Sequence, residues 1–78
     1  MNIQHVSAMQ GMIHHFNVEH DGKPYEAFIY LNNKSKFIDE EIRLPDGEEL
    51  GYEGAEGEIR NAIVNHLSEN WDKLVPLN

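Results

Sequence analysis

Residues 12–31 read MIHHFNVEHDGKPYEAFIYL, and this stretch decides the fold of the chain. Asp21-Gly22 stands between two runs in which polar and apolar side chains alternate. An Asp-Gly pair in this setting predicts a type I′ turn, because both central residues of that turn need positive φ. The resulting two-residue loop pairs His20 with Lys23 and sets the register of everything beyond it.

In that register one face of the hairpin is almost entirely apolar. It consists of Met12, His14, Phe16, Val18, Tyr25, Ala27, Ile29 and Leu31. A slip by one residue would turn this whole set to the other side, so register and core face are predicted together. The opposite face is polar beside the turn and apolar at its far end, where Ile13, Phe28 and Tyr30 lie.

Two further segments add strands to this hairpin. Residues 37–44 alternate again, and Pro45-Asp46-Gly47 fits a three-residue turn with glycine in the left-handed position. That turn pairs Ile42 with Leu50 and predicts a second hairpin. The N-terminal residues Ile3–Ala8 are the candidate for a short edge strand, so the predicted sheet has three or four strands.

From Ala55 to Leu74 the apolar period becomes helical. The residues that match the i, i+3, i+4, i+7 template are Ile59, Ala62, Ile63, His66, Leu67, Asn70, Trp71 and Leu74. Gly54 is the candidate N-cap. The predicted fold class is α+β: an antiparallel three- to four-stranded sheet of two hairpins, with one C-terminal helix packed on one face. Residues 1–78 form a single domain.

The net charge of −8 comes from one segment. Residues 39–58 contain one base, Arg43, and nine acids: Asp39, Glu40, Glu41, Asp46, Glu48, Glu49, Glu53, Glu56 and Glu58. Direct binding to nucleic acid is disfavoured, because phosphates are met by clustered Lys and Arg. The acidic segment either keeps the protein soluble or meets a basic partner.

Helix and sheet both carry more apolar surface than one mutual contact requires. The apolar arc of the helix extends to Val64 and Trp71, and large exposed apolar patches usually mark an interface. The alternative is that the C-terminal tail covers Trp71 and that Ile3–Met9 covers the sheet patch. The candidate interaction surface consists of Glu41, Glu48, Glu49, Glu53, Glu56, Phe28, Tyr30 and Trp71.

No motif for catalysis, a metal or a cofactor is recognisable. The chain has no cysteine, and none of its serines lies in a nucleophile-elbow sequence. Adjacent strand residues such as His14 and His15 point to opposite faces, whereas zinc needs three or four converging ligands. His14, His66 and Asn70 are either satisfied polar residues at the rim of the core or a pH-sensitive contact. We therefore predict a non-enzyme without metal or cofactor.

Two functional hypotheses from different classes remain. In the first, a small interaction or regulatory protein masks a partner through its acidic segment and an apolar patch. One version is an inhibitor of the phage type that mimics nucleic acid charge and blocks a basic groove. In the second, the chain is a structural or accessory homodimer. The N-terminus has no signal-peptide pattern, and the longest apolar run, Ala27–Leu31, is too short to span a membrane, so a cytoplasmic location is expected.

Overall fold

The computed structural model describes residues 1–9, 12–32 and 37–74. Four strands form one antiparallel sheet in chain order: β1 Asn2–Met9, β2 Ile13–His20, β3 Lys23–Leu31 and β4 Phe37–Arg43. Two helices follow, α1 Gly54–Glu69 and α2 Trp71–Leu74. The α+β class, the four-stranded antiparallel sheet and the C-terminal helix are confirmed.

The Asp21-Gly22 turn has the geometry that its sequence predicts. Asp21 has φ 51° and Gly22 has φ 76°, so both central residues lie in the left-handed region. Strands β2 and β3 pair from His20 opposite Lys23 outward, in the predicted register. The N–H of Leu31 donates to the carbonyl of Met12 at 2.7 Å and extends the ladder by one more pair.

The N-terminal segment forms a full edge strand rather than a cover for the sheet. Strand β1 pairs antiparallel with β2, and its register shifts between His5, opposite Phe16, and Ser7, opposite His15. Val6 is therefore the extra residue of a β-bulge, and 47% of its surface is exposed. Alternation alone did not indicate this bulge, because the segment lacks a clear period of two.

The predicted second hairpin is reduced to an isolated bridge. The N–H of Leu44 donates to the carbonyl of Glu48 at 2.8 Å, and that of Leu50 to Ile42 at 2.6 Å, as a three-residue loop requires. Residues 48–50 nevertheless form no strand beyond the bridge between Arg43 and Glu49. The pairing is short because the chain leaves the sheet after Leu50 to begin helix α1.

One buried cluster unites the sheet with the helix. Its members are Phe16, Val18, Tyr25, Ala27, Ile29, Leu31, Ile42, Leu50, Ile63 and Leu67. Two polar residues, His14 and Arg60, are buried as well. The sheet members belong to the face that alternation predicts as the core.

Helix α1 differs from its prediction at both ends and in its rotation. Its N-cap is Glu53 in extended conformation, and Gly54, predicted as the cap, is the first helical residue with φ 60°. The helix ends at Glu69, where the side-chain amide of Asn70 donates to the carbonyl of His66 at 2.9 Å. The buried positions of the helix are Gly57, Arg60, Ile63 and Leu67. The buried stripe is thus turned away from Ala62 and towards Arg60.

Candidate interaction surface

One side of the sheet stays accessible while the other carries the core. We call it the outer face; it consists of Asn2, Gln4, Ser7, Met9, Ile13, His15, Asn17, Glu19, Pro24, Glu26, Phe28, Tyr30, Asp39, Glu41 and Arg43. Every one of these residues is half-buried or exposed. The outer face is therefore the broad surface that the packing of the helix leaves open.

Phe28 lies at the centre of the outer face between two cationic or titratable neighbours. Its ring stacks on that of His15 from the adjacent strand, with centroids 4.6 Å apart and planes inclined by 6°. The guanidinium of Arg43 lies 5.8 Å from the centroid of the Phe28 ring, within cation–π range. Phe28 is thus held by contacts on the surface itself and forms a preorganised aromatic patch.

Tyr30 and Glu41 extend this patch through a hydrogen-bonded network. The hydroxyl of Tyr30 donates to Oε2 of Glu41 at 3.0 Å, and Arg43 donates to Oε1 from Nη2 at 2.7 Å and from Nε at 3.2 Å. The bond from Arg43 holds the pKa of Glu41 below its usual value. Burial, followed by the bond to Glu41, raises the pKa of Tyr30. Both carboxylate oxygens of Glu41 are therefore engaged within the sheet.

The Glu41 network makes stability depend on pH in the acidic range. A carboxyl whose pKa is lowered by folding stabilises the fold above its unfolded pKa, and this contribution is lost as pH falls through the folded pKa. We expect Glu41→Gln to be less stable than the wild type in urea at neutral pH and indistinguishable from it in strong acid. The difference in free energy of unfolding between Glu41→Gln and the wild type at neutral pH should be small, because the Glu41 and Arg43 side chains are 25% and 42% exposed.

Glu48→Gln is the control for this experiment, because Glu48 is an exposed carboxylate of the loop. Its unfolding midpoint should follow that of the wild type at both pH values. An equal deficit of Glu41→Gln at neutral and at acid pH would show that the lost contribution does not depend on the charge of Glu41.

The other predicted glutamates lie on a different part of the molecule. We call residues 45–53 the acidic loop; Glu48, Glu49 and Glu53 are exposed there. The carboxylate of Glu56, at the start of α1, accepts a bond from the N–H of Gly51 at 2.9 Å. Four of the predicted residues thus gather around the acidic loop, whereas Glu41 belongs to the outer face.

Both arginines of the chain, Arg43 and Arg60, form ion pairs with glutamates of the chain itself. Arg43 binds Glu41, and Nη1 and Nη2 of Arg60 lie 3.2 Å from Glu40 and 3.5 Å from Glu49. Within the acidic loop, which the structure describes in full, Asp46, Glu48 and Glu53 are exposed and form no ion pair with a described residue, whereas Glu49 pairs with Arg60. The acidic loop therefore presents several negative charges to the surroundings.

A groove joins the acidic loop to the outer face. It has a volume of about 370 Å³ and is lined by Asn17, Glu19 and Glu26 from the outer face and by Pro45 from the loop. Its nine lining residues include two carboxylates and no lysine or arginine. The groove thus connects Pro45 of the acidic loop with the end of the outer face beside the Asp21-Gly22 turn, whereas Phe28 and Tyr30 do not line it.

Trp71 does not belong to this surface. Its ring packs against the core, 5.8 Å from His14 and 6.1 Å from Phe16 between centroids. Trp71 lies on the side of the sheet that carries the core, so the structure does not bring it together with Phe28 and Tyr30 of the outer face. Whether the C-terminal tail covers Trp71 concerns residues 75–78, which lie outside the described residues.

Sequence reasoning missed Arg60, the most buried charged side chain among the described residues. Its side chain is 2% exposed, and its Nε donates to the carbonyls of Leu50 at 3.1 Å and Gly51 at 3.3 Å. Its guanidinium lies 4.1 Å from the centroid of the Tyr52 ring. The available signal was its spacing of three and seven residues from Ile63 and Leu67. From sequence alone, a charged residue at such a helix position is predicted to face solvent, because the loop that binds it is not known.

Two of the five histidines, His5 and His14, form a hydrogen-bonded pair. Nε2 of His5 lies 3.0 Å from Nδ1 of His14, so one ring donates and the other accepts. Among residues 1–9, 12–32 and 37–74, no group of three or more His, Asp or Glu side chains could hold a metal ion. In the same residues no helix combines the length and the apolar character needed to cross a membrane.

No family model matches the chain. No curated protein and no solved structure matches it either.

Proposed function

We propose that this chain is a non-enzymatic protein-interaction or regulatory module that binds a basic partner protein through the outer face and the acidic loop. The observation that carries the proposal is the distribution of ion pairs: Arg43 pairs with Glu41 and Arg60 with Glu40 and Glu49, so Asp46, Glu48 and Glu53 of the acidic loop are exposed without an ion pair to a described residue. A basic partner supplies cations for these three carboxylates.

The outer face supplies the apolar part of such a contact. Interfaces take most of their binding energy from a few buried aromatic and arginine side chains surrounded by polar residues. Phe28 and Tyr30 are held in place by His15 and Glu41 before any partner arrives. Preorganised side chains lose little conformational entropy on binding, which favours affinity.

The charge of the loop favours rapid and selective encounter. Complementary charges raise association rates and reject partners of like charge, with strong dependence on salt. An inhibitor that occupies a basic, nucleic-acid-binding groove is one version of this function. The alternative is a structural or accessory homodimer in which the acidic loop serves solubility alone.

The test uses a lysine- and arginine-rich peptide as the probe and a glutamate-rich peptide of equal length as its control. We expect the basic peptide to shift the NMR signals of the acidic loop and of Phe28 and Tyr30, and we expect its affinity to fall steeply with added salt. The glutamate-rich peptide should shift neither region. A basic peptide that shifts only residues elsewhere on the chain would contradict the proposal.

Charge reversal separates a specific surface from net charge. The double variant Glu48→Lys with Glu53→Lys should abolish peptide binding. The double variant Glu69→Lys with Asp72→Lys is the control, because it changes the net charge by the same amount on exposed residues near the end of the helix. Phe28→Ala should weaken binding without changing its salt dependence. Equal losses from the two double variants would mean that only overall charge matters and would sink the proposed surface.

A further inference from the structure

The sheet has two edges, and they are protected very differently. Because the strand order is β1-β2-β3-β4, the edges are β1 and β4. An edge strand presents unpaired N–H and C=O groups to any other strand, and proteins usually guard such edges with charges, proline or a covering segment. The protecting features present on each edge strand therefore indicate which edge can pair with a strand of another molecule.

Strand β4 is guarded twice. It contains four charged residues among seven: Asp39, Glu40, Glu41 and Arg43. Its end is also covered from outside, because Leu50 and Glu48 bond to Ile42 and Leu44. The β4 edge is thus charged along its length and closed at one end.

Strand β1 contains no charged residue, and no described segment of the chain pairs with its outer side. Its sequence, NIQHVSAM, contains no lysine, arginine, aspartate, glutamate or proline over eight residues. Six of the eight are exposed. Four of the six exposed large hydrophobic residues of the described chain lie on this strand or beside it: Met1, Val6, Met9 and Met12.

The free hydrogen-bonding groups of β1 follow from the register. The Leu31 bond to Met12 places even-numbered residues of β2 in hydrogen-bonded pairs with β3, so the odd-numbered ones bond to β1. The β1 residues opposite even-numbered positions therefore direct their N–H and C=O groups outward. These residues are Ile3, His5 and Ala8.

We propose that two copies of this chain associate through β1, antiparallel and edge to edge, so that the two sheets become one. Charge favours a second copy as the occupant: the chain carries −8, and β1 has no Asp, Glu, Lys or Arg, so two copies that meet at β1 bring no carboxylates into direct contact and repel each other least there. A strand pairs with its own copy about a two-fold axis, which uses the same groups on both sides. A basic partner has no carboxylate to meet on β1.

The bulge at Val6 limits this association. Bulges bend an edge strand and interrupt its ladder, so the pairing extends over part of β1. We therefore expect an equilibrium between monomer and dimer that depends on protein concentration. Added salt should strengthen the dimer by screening repulsion, whereas it weakens capture of a basic partner, so failure of one proposal is distinguishable from failure of the other.

Sedimentation equilibrium of the full chain at rising concentration and at two salt levels tests the proposal. Val6→Lys should raise the dimer dissociation constant about tenfold or more, which corresponds to about 1.4 kcal/mol. Ile38→Lys is the matched control, because Ile38 is the exposed extra residue where β4 shifts register, and the change in net charge is the same. It should dimerise like the wild type. Ala8→Lys is the second variant should Val6→Lys fold poorly.

Amide hydrogen exchange gives the residue-level result. The N–H groups of Ile3, His5 and Ala8 should gain protection as concentration rises, while those of Gln4 and Ser7 should be protected throughout. A wild-type chain that stays monomeric at the highest concentration overturns the proposal, even if β1 captures an extended peptide of another protein. The proposal is also overturned if the Ile38→Lys substitution dissociates the dimer and the Val6→Lys substitution does not.

Discussion

Replacing Arg60 by methionine is expected to lower the free energy of unfolding by about 3 kcal/mol, which is a large part of the stability of a domain of this size. The guanidinium donates to the carbonyls of Leu50 and Gly51 and pairs with Glu40 and Glu49. Methionine fills a similar volume but leaves the carbonyl of Leu50 and the carboxylate of Glu40 without their partner. Unpaired buried polar groups carry their full desolvation cost.

Urea unfolding at neutral pH measures this loss, and three variants identify its origin. Arg43→Met removes an arginine that is half-exposed and should have a far smaller effect. Arg60→Lys keeps the charge but loses the planar fork, so it should also destabilise. Arg60→Met combined with Glu40→Met should recover part of the loss, because the orphaned carboxylate is removed too. A stability of Arg60→Met equal to that of the wild type would contradict the account.

Gly57→Ala is expected to destabilise the protein by about 2–3 kcal/mol, although alanine has the higher helix propensity by about 1 kcal/mol. A Cβ at this position would lie 2.1 Å from the carbonyl oxygen of Tyr52 and 2.7 Å from its carbonyl carbon. These atoms belong to the backbone and cannot rotate away. The loop before the helix must shift, which disturbs the carbonyls of Leu50 and Gly51 that Arg60 binds.

Thermal unfolding should show this as a fall in Tm of about 10 °C or more, since 1 kcal/mol shifts Tm by about 4–8 °C in a domain this small. Gly54→Ala is the control: nothing lies within 4 Å of its Cβ, and its φ of 60° alone carries a cost of about 1–2 kcal/mol. Tyr52→Ala should not relieve Gly57→Ala, because the clash involves the main chain. A Gly57→Ala protein more stable than the wild type would refute the contact.

The parts of the fold that sequence reasoning predicted are those with a local cause. Asp21-Gly22 determines the hairpin register because few residues accept positive φ, and the period of two then divides core from outer face. Phe28 and Tyr30 lie outward for that reason. The helix follows equally from its period, and the segment with excess charge is a matter of composition.

The parts that it did not predict depend on contacts between distant segments. The rotation of helix α1 is set where Gly57 meets the Tyr52 carbonyl and where Arg60 enters the core. Trp71, in α2, packs against His14 and Phe16 of a distant strand. Which acids remain available depends on the pairs that Arg43 and Arg60 form.

The sequence by itself therefore determined the hairpin, the two faces of the sheet and the presence of a C-terminal helix, because turn conformation and side-chain period are local properties. Only the tertiary structure separated the outer face and acidic loop from Trp71, left β1 as an uncharged edge and buried Arg60. These features arise when strand order and the loop before the helix bring residues far apart in the chain into contact, and no local pattern encodes that contact.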